Sequence, residues 1–264
     1  MDIYLGAQPP TLTADQYLKA SQLAAQAWSH VDIACTGVSI SMSKHGESTA
    51  EVGLDLKNVI VFRQDLACLQ PPTTDPAAQP CLSANVLAVT TLFKNTTTGE
   101  IVDADMEINA VNFAWADLVA NPTLANGNIA DFQNTLTHEL GHVIGLTHNC
   151  YMSNDGPAPL LDNTGNPELV CGSAGVPATV TDATMYPVVP IRDTDRRTLS
   201  PDDQQAACEI YPSNQGTCGA GSGQGCSVAG PTSGAPDRVW AVVFGLCLGL
   251  ALAAIAIRRS RSSG

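Results

Sequence analysis

The order of patterns in this sequence predicts an α+β domain, and three observations predict it. A capped, helix-periodic segment opens the chain, several runs of strand character follow, and two further helix signals close the globular part. The 264 residues, 44% of them hydrophobic, suffice for one sizeable core with extensions. No internal repeat is present.

The first helix is announced by Thr13-Ala14-Asp15-Gln16, which fits a capping box, and apolar residues keep helical spacing to about His30. Residues 37–42 (GVSISM), 58–62 (NVIVF) and 86–93 (VLAVTTLF) are β-type runs, and 95–99 (NTTTG) is a turn. Residues 101–109 (IVDADMEIN) alternate. Val102, Ala104, Met106 and Ile108 share one face and Asp103, Asp105, Glu107 and Asn109 the other, the pattern of a half-exposed strand. A second long helix is predicted from near Asp131 to Gly145. A last helix begins at Ser200-Pro201-Asp202-Asp203, where serine caps, proline takes the first turn and the acids face the positive helix end.

Net charge is −13, and three of the twelve Lys and Arg crowd into the end of the chain (Arg258, Arg259 and Arg261). A body this acidic repels phosphate backbones, which excludes nucleic acid as a natural partner. Nine cysteines without CxxC pairs or zinc-finger spacing point to disulfides in an oxidising compartment. Cys68 with Cys81 and Cys150 with Cys171 are the expected pairs, because each closes a short loop; Cys35, Cys208 and Cys218 cannot be paired from sequence. Residues 1–10 (MDIYLGAQPP) have neither the basic nor the apolar region of a signal peptide, so a native start upstream of Met1 is expected.

The chemistry sits in residues 138–148, HELGHVIGLTH. On a helix His138 and His142 lie one turn apart and point the same way, so both imidazoles can grip one metal ion. Glu139 can then reach water at the metal without ligating it. Gly145 is a place for the helix to stop, since glycine takes left-handed angles at little cost, and the turn lets His148 return as third ligand. Three neutral nitrogens leave a coordination position open, as catalytic zinc requires. The extra Gly and His at fixed offsets reduce coincidence to about one in 10⁵ at residue frequencies of a few per cent.

This motif resembles that of the metzincin peptidases. Thr184-Met185-Tyr186-Pro187 stands where those enzymes have a methionine turn, which implies that Met185 is a hydrophobic floor beneath the metal. Arg197-Thr198-Leu199-Ser200-Pro201-Asp202-Asp203 is similar to the matrixins in particular, and residues 103–107 (DADME) occupy the place of their edge strand. The resemblance covers about 200 residues. It implies a twisted, mostly parallel sheet with an antiparallel edge strand, a long N-terminal helix, an active-site helix and a small C-terminal subdomain ending in a helix. The second, structural zinc of matrixins is doubtful here, since only His30 and His45 remain to bind it and Asp105 stands at one ligand position; calcium on exposed carboxylates stays open. The segment between His148 and Met185 is longer than in that family, and a Cys150–Cys171 loop there would border the cleft.

Residues 239–257 (VWAVVFGLCLGLALAAIAI) form an uncharged apolar run of nineteen, long enough to cross a membrane as a helix, with the basic excess beyond it marking the cytoplasmic side. The expected organisation is therefore a catalytic domain over 1–212 (subdomains 1–148 and 149–212), a Gly/Ser/Pro-rich stalk over 213–238, a transmembrane helix over 239–257 and a basic cytoplasmic tail over 258–264. The body would lie outside the cell. Gly225-Cys226-Ser227 followed by a spacer, an apolar run and an Arg cluster resembles myxobacterial C-terminal sorting tails, which makes Cys226 a candidate processing or lipid-attachment site. The function expected is a zinc-dependent endopeptidase acting on extracellular or envelope proteins, with His138, His142 and His148 as metal ligands and Glu139 as catalytic base. Two rivals are a surface-displayed, non-catalytic binding module and a zinc hydrolase of a non-peptide amide bond.

Overall fold

Thr13 accepts the N–H of Gln16 on its hydroxyl, and the Thr13 N–H donates to the Gln16 side chain, so the capping box forms and α1 runs Ala14–Ala27. This computed structural model describes residues 1–7, 9, 11–29, 32–44, 52–64, 84–124, 127–152, 161, 165–213 and 239–247. α1 turns Tyr17 and a row of small residues, Ala20, Ser21, Ala24 and Ala25, inward. Small side chains there allow a second helix to come close.

The strands are β1 (Asp2–Leu5), β2 (Ser41–Lys44), β3 (Asn58–Arg63), β4 (Val86–Asn95), β5 (Ile101–Asn109), β6 (Ala114–Ala116), β7 (Ile129–Asp131) and β8 (Val239–Cys247). The helices after α1 are α2 (Phe132–Val143), α3 (Ala178–Thr181) and α4 (Pro201–Ile210), with a 3₁₀ turn at Asp195–Arg197. Six strands form one sheet in the order β2-β1-β3-β5-β4-β8, and β6 pairs with β7. β1, β2, β3 and β5 run parallel, whereas β4 runs antiparallel to β5. The architecture is thus mixed, with a mostly parallel sheet and few helices, as expected. β1 was not anticipated: four residues are too few to show a period.

α1 and α2 pack on one sheet face. Ile3, Leu5, Ile60, Ala88, Leu92, Ala104, Met106 and Ile108 meet Tyr17, Trp28, Phe132, Leu136 and Leu140 there. Tyr17, Phe62 and Phe132 stack edge-on or tilted at 5.3–5.7 Å between ring centroids.

β5 departs from expectation in two ways. It is internal, between β3 and β4, so the antiparallel strand toward the sheet edge is β4. Its polar face is also buried, not half-exposed: Asp103, Asp105, Glu107 and Asn109 are each at most 3% accessible. Residues 52–57 fold over that face and feed main-chain donors to the carboxylates. Asp103 Oδ2 accepts the N–H groups of Asp55 and Leu56, Asp105 accepts those of Gly53 and Val59, and Arg63 binds Glu107 at 2.7 Å. Alternation reveals that a strand has two chemistries but not what covers the polar one. These carboxylates, engaged and buried, give no support to the calcium expectation.

The apolar C-terminal run is the larger correction. Residues 239–247, expected as the first half of a membrane helix, form strand β8 and pair antiparallel with β4 from Asn95↔Val239 to Val86↔Cys247. An uninterrupted apolar run has no period to separate helix from strand, and its valines and aromatics suit a sheet. Among the described residues no helix is long and apolar enough to cross a membrane. Most of the stalk, Cys226, residues 248–257 and the basic tail lie outside the described residues, as do Cys68, Cys81, Cys218, His30 and His45.

Two disulfides are present among the described residues. Cys150–Cys171 is the pair expected from spacing, and Cys35–Cys208 joins the segment after α1 to α4 across 173 positions. Closing so long a loop contributes on the order of 3–5 kcal/mol.

Burial raises the Asp105 carboxyl to about 7, with the charges of Asp103 and Asp55 adding to the rise and the N–H groups of Gly53 and Val59 opposing it. The folded protein therefore holds a proton that the unfolded chain releases near pH ~4. This contribution is full below that pH and is lost as pH rises through about 7. Urea denaturation of wild type and Asp105→Asn between pH 4.5 and 8.5 should show the wild type losing stability relative to the variant as pH rises.

Candidate metal centre

The site is built on α2, and every one of its twelve residues is buried. Asp131, the last residue of β7, caps the helix by accepting the Asn134 N–H at 2.8 Å. Its other oxygen accepts the Leu118 N–H, and the Arg197 guanidinium binds Asp131 together with Asp117 and Gln133. The start of the helix is thereby pinned to β6, β7 and the segment leading into α4.

Gly145 ends the helix at φ +95°, a conformation that a side chain would strain. The Leu146 N–H reaches back to the Gly141 carbonyl at 3.0 Å, and the chain reverses to bring His148 beside the helix. The rings of His138, His142 and His148 then lie 4.7–5.5 Å apart between centroids, and Nε2 of His138 is 3.0 Å from Nε2 of His142. One ligand atom from each of the three lies within 4.8 Å of the others. The three histidines selected from the sequence are brought together.

Their surroundings suit a metal. Burial pushes His138 and His142 well below the ordinary histidine pKa, helped by the neighbouring rings, so both are neutral. Nδ1 of His138 donates to the Thr184 carbonyl at 2.6 Å and Nδ1 of His142 to the Leu146 carbonyl at 2.8 Å. These bonds assign the protons to Nδ1 and leave both Nε2 lone pairs for an ion. Three convergent imidazoles are a donor set that fits zinc.

Glu139 is buried on the same helix, and the Thr90 hydroxyl of β4 donates to its Oε2 at 2.6 Å. Met185 lies against Gly141, between the two helical ligands: a Cβ on Gly141 would fall on the Met185 sulfur and stand 2.8 Å from Trp28 Cζ2. The methionine turn is fixed from behind by Asp203, whose carboxylate accepts the N–H groups of Thr184 and Met185 and the Ser200 hydroxyl. Arg196 holds the same turn through the Ala183 and Thr181 carbonyls. The Cys150–Cys171 loop joins it through the Gly172 N–H, which donates to the Tyr186 hydroxyl at 3.0 Å.

Sequence reasoning missed four supports of this site. Trp28 donates its indole N–H to the Thr137 carbonyl at 2.7 Å, and Gly141, Arg196 and Thr90 act as described above. Gly141 stands inside the motif itself, where a glycine in mid-helix is a visible anomaly. Thr90 left a fainter trace, a lone hydroxyl on the inward stripe of an apolar strand. Trp28 and Arg196 have no local signature.

The sequence profile of a family described as dual-action HEIGH metallo-peptidase matches residues 8–189. Here the motif reads HELGH, with the fully buried Leu140 at the isoleucine position of the name. No curated protein matches the chain. The match supports neither the narrower matrixin likeness nor the sorting tail expected from the sequence.

Gly141→Ala should overpack the space between Met185 and Trp28, cost about 1–3 kcal/mol of stability and weaken zinc binding. Thermal unfolding with and without zinc, together with a competitive zinc titration, checks both effects.

Proposed function

The chain belongs to the dual-action HEIGH metallo-peptidase family, and on that premise we propose that it is a zinc-dependent endopeptidase whose general base is Glu139. The observation that carries the reading is the convergence of His138, His142 and His148, with the buried Glu139 next to His138 on α2.

His138, His142 and His148 would hold zinc, which would supply Lewis acidity toward water and a scissile carbonyl. Glu139 removes the proton from the attacking water and returns it to the leaving amine nitrogen. Met185, packed against Gly141, serves as the apolar floor that keeps the ligand helix in place. Thr184 and Leu146 hold the His138 and His142 rings through their carbonyls, which fixes the orientation of both.

The pairing of β4 supports an extended peptide as substrate. This strand already accepts an extended antiparallel chain, β8, along its length from Val86 to Asn95, and Thr90 lies within that stretch. A substrate takes the same main-chain pairing in place of β8. Two disulfides favour work in an oxidising compartment, with extracellular or envelope proteins as targets.

The test is proteolysis of a mixture of denatured proteins by the disulfide-bonded, zinc-loaded chain. Cleavage should disappear with a chelator and return with zinc. Glu139→Ala should lower turnover on the order of 10³-fold while zinc remains bound. Undiminished turnover in that variant overturns the assignment of the base. Absence of peptide cleavage by folded, zinc-loaded protein instead favours a non-peptide amide hydrolase or a non-catalytic binding module.

A further inference from the structure

Strand β4 presents Val86, Ala88, Thr90 and Leu92 on its inward stripe, and all four are buried. Three are apolar and one is not. Valine would fill the volume of Thr90 with a methyl group and suit a strand equally well. A hydroxyl in a fully buried position costs free energy unless it is hydrogen-bonded. The partner of this hydroxyl is Glu139: Thr90 Oγ1 lies 2.6 Å from Oε2, and at 3.4 Å from the main-chain oxygen of the same residue.

The donor is also well fixed. Thr90 pairs with Met106 of β5, which is itself flanked by β3, so the hydroxyl projects from the body of the sheet and not from a loop. A glutamate has three rotatable side-chain bonds, and tethering one carboxylate oxygen removes most of that freedom. The imidazole ligands are oriented by main-chain carbonyls from Thr184 and Leu146; Thr90 gives the carboxylate an equivalent restraint from the opposite layer of the domain.

We propose that Thr90 is the positioning residue for Glu139, holding Oε2 so that the carboxylate stays aimed at the reacting water. The proposal rests on the reading of Glu139 as general base. It also explains why β4, the strand that pairs with an extended chain, carries its one inward polar residue at this position: the strand that aligns a substrate then also aligns the base.

Thr90→Val keeps the shape and removes only the hydroxyl. In the full zinc-loaded chain acting on a fluorogenic casein, this variant should lower kcat by about ten- to a hundredfold, the loss expected of a misplaced catalytic group. KM and zinc affinity should stay close to wild type, the unfolding temperature should fall by a few degrees because the buried Glu139 oxygen loses its partner, and Thr90→Ser should recover most of the lost kcat. Thr90→Ala repeats the test should the valine variant fold poorly. A second readout needs no turnover. In cobalt-loaded protein the visible absorption should move toward that of Glu139→Ala in the valine variant and stay with wild type in the serine variant. An inactive Glu139→Ala alongside a valine variant with unchanged kcat and unchanged cobalt spectrum would overturn the role of Thr90 alone. Full activity in Glu139→Ala would overturn the general-base reading and the role of Thr90 with it.

Discussion

A helix buried on all sides can carry polar side chains only if the rest of the fold supplies a partner for each. α2 imposes this constraint on the whole molecule. It buries Gln133, Asn134, Thr135, Thr137, His138, Glu139 and His142 together. Left unpartnered, such groups would cost several kcal/mol each. The surrounding elements answer them one by one. β4 sends Thr90 to Glu139, the methionine turn sends a carbonyl to His138, and the helix's own C-terminal reversal sends one to His142. Asn134 accepts the main-chain N–H of Arg196, whose guanidinium in turn closes the turn around Ala183. The site is precise because the burial of its helix leaves little tolerance for imprecision.

The same constraint explains the weight placed on the last third of the domain. Asp203 caps α4 in a capping box with Ser200 and at the same time grips the main chain of Thr184 and Met185. One carboxylate thus starts a helix and secures the turn that packs Met185 against Gly141. Arg197 performs a comparable double task at the other end of α2, where it neutralises Asp131 and Asp117. The stretch running from Arg197 to Asp203 is therefore a clamp on both ends of the site.

Much of this was legible in the sequence wherever a local rule governs. The caps at Thr13 and Ser200, the extent of α2, the stop at Gly145 and the Cys150–Cys171 pair all depend on residues close in sequence. So does the convergence of His138, His142 and His148, which one helix and one turn determine. The failures share a cause, which is that they depend on what arrives from far away. The acids of β5 read as solvated because nothing nearby reveals that residues 52–57 will cover them. The run at 239–247 read as a membrane helix because its pairing partner lies some 150 positions earlier. Trp28 reaches Thr137 across 109 positions and Thr90 reaches Glu139 across 49. Cys35 found its partner only in the three-dimensional structure.

The Cys35–Cys208 bond also has a consequence in time. Chain synthesis delivers Cys35 early and Cys208 only 173 positions later. All three ligand histidines and Met185 emerge before the second sulfur does. The covalent lock can close only once α4 exists, so whichever oxidant forms it acts on a chain whose metal-binding segment is already made. A newborn molecule therefore passes through an interval in which its three clustered histidines are already made but the covalent lock has not yet closed.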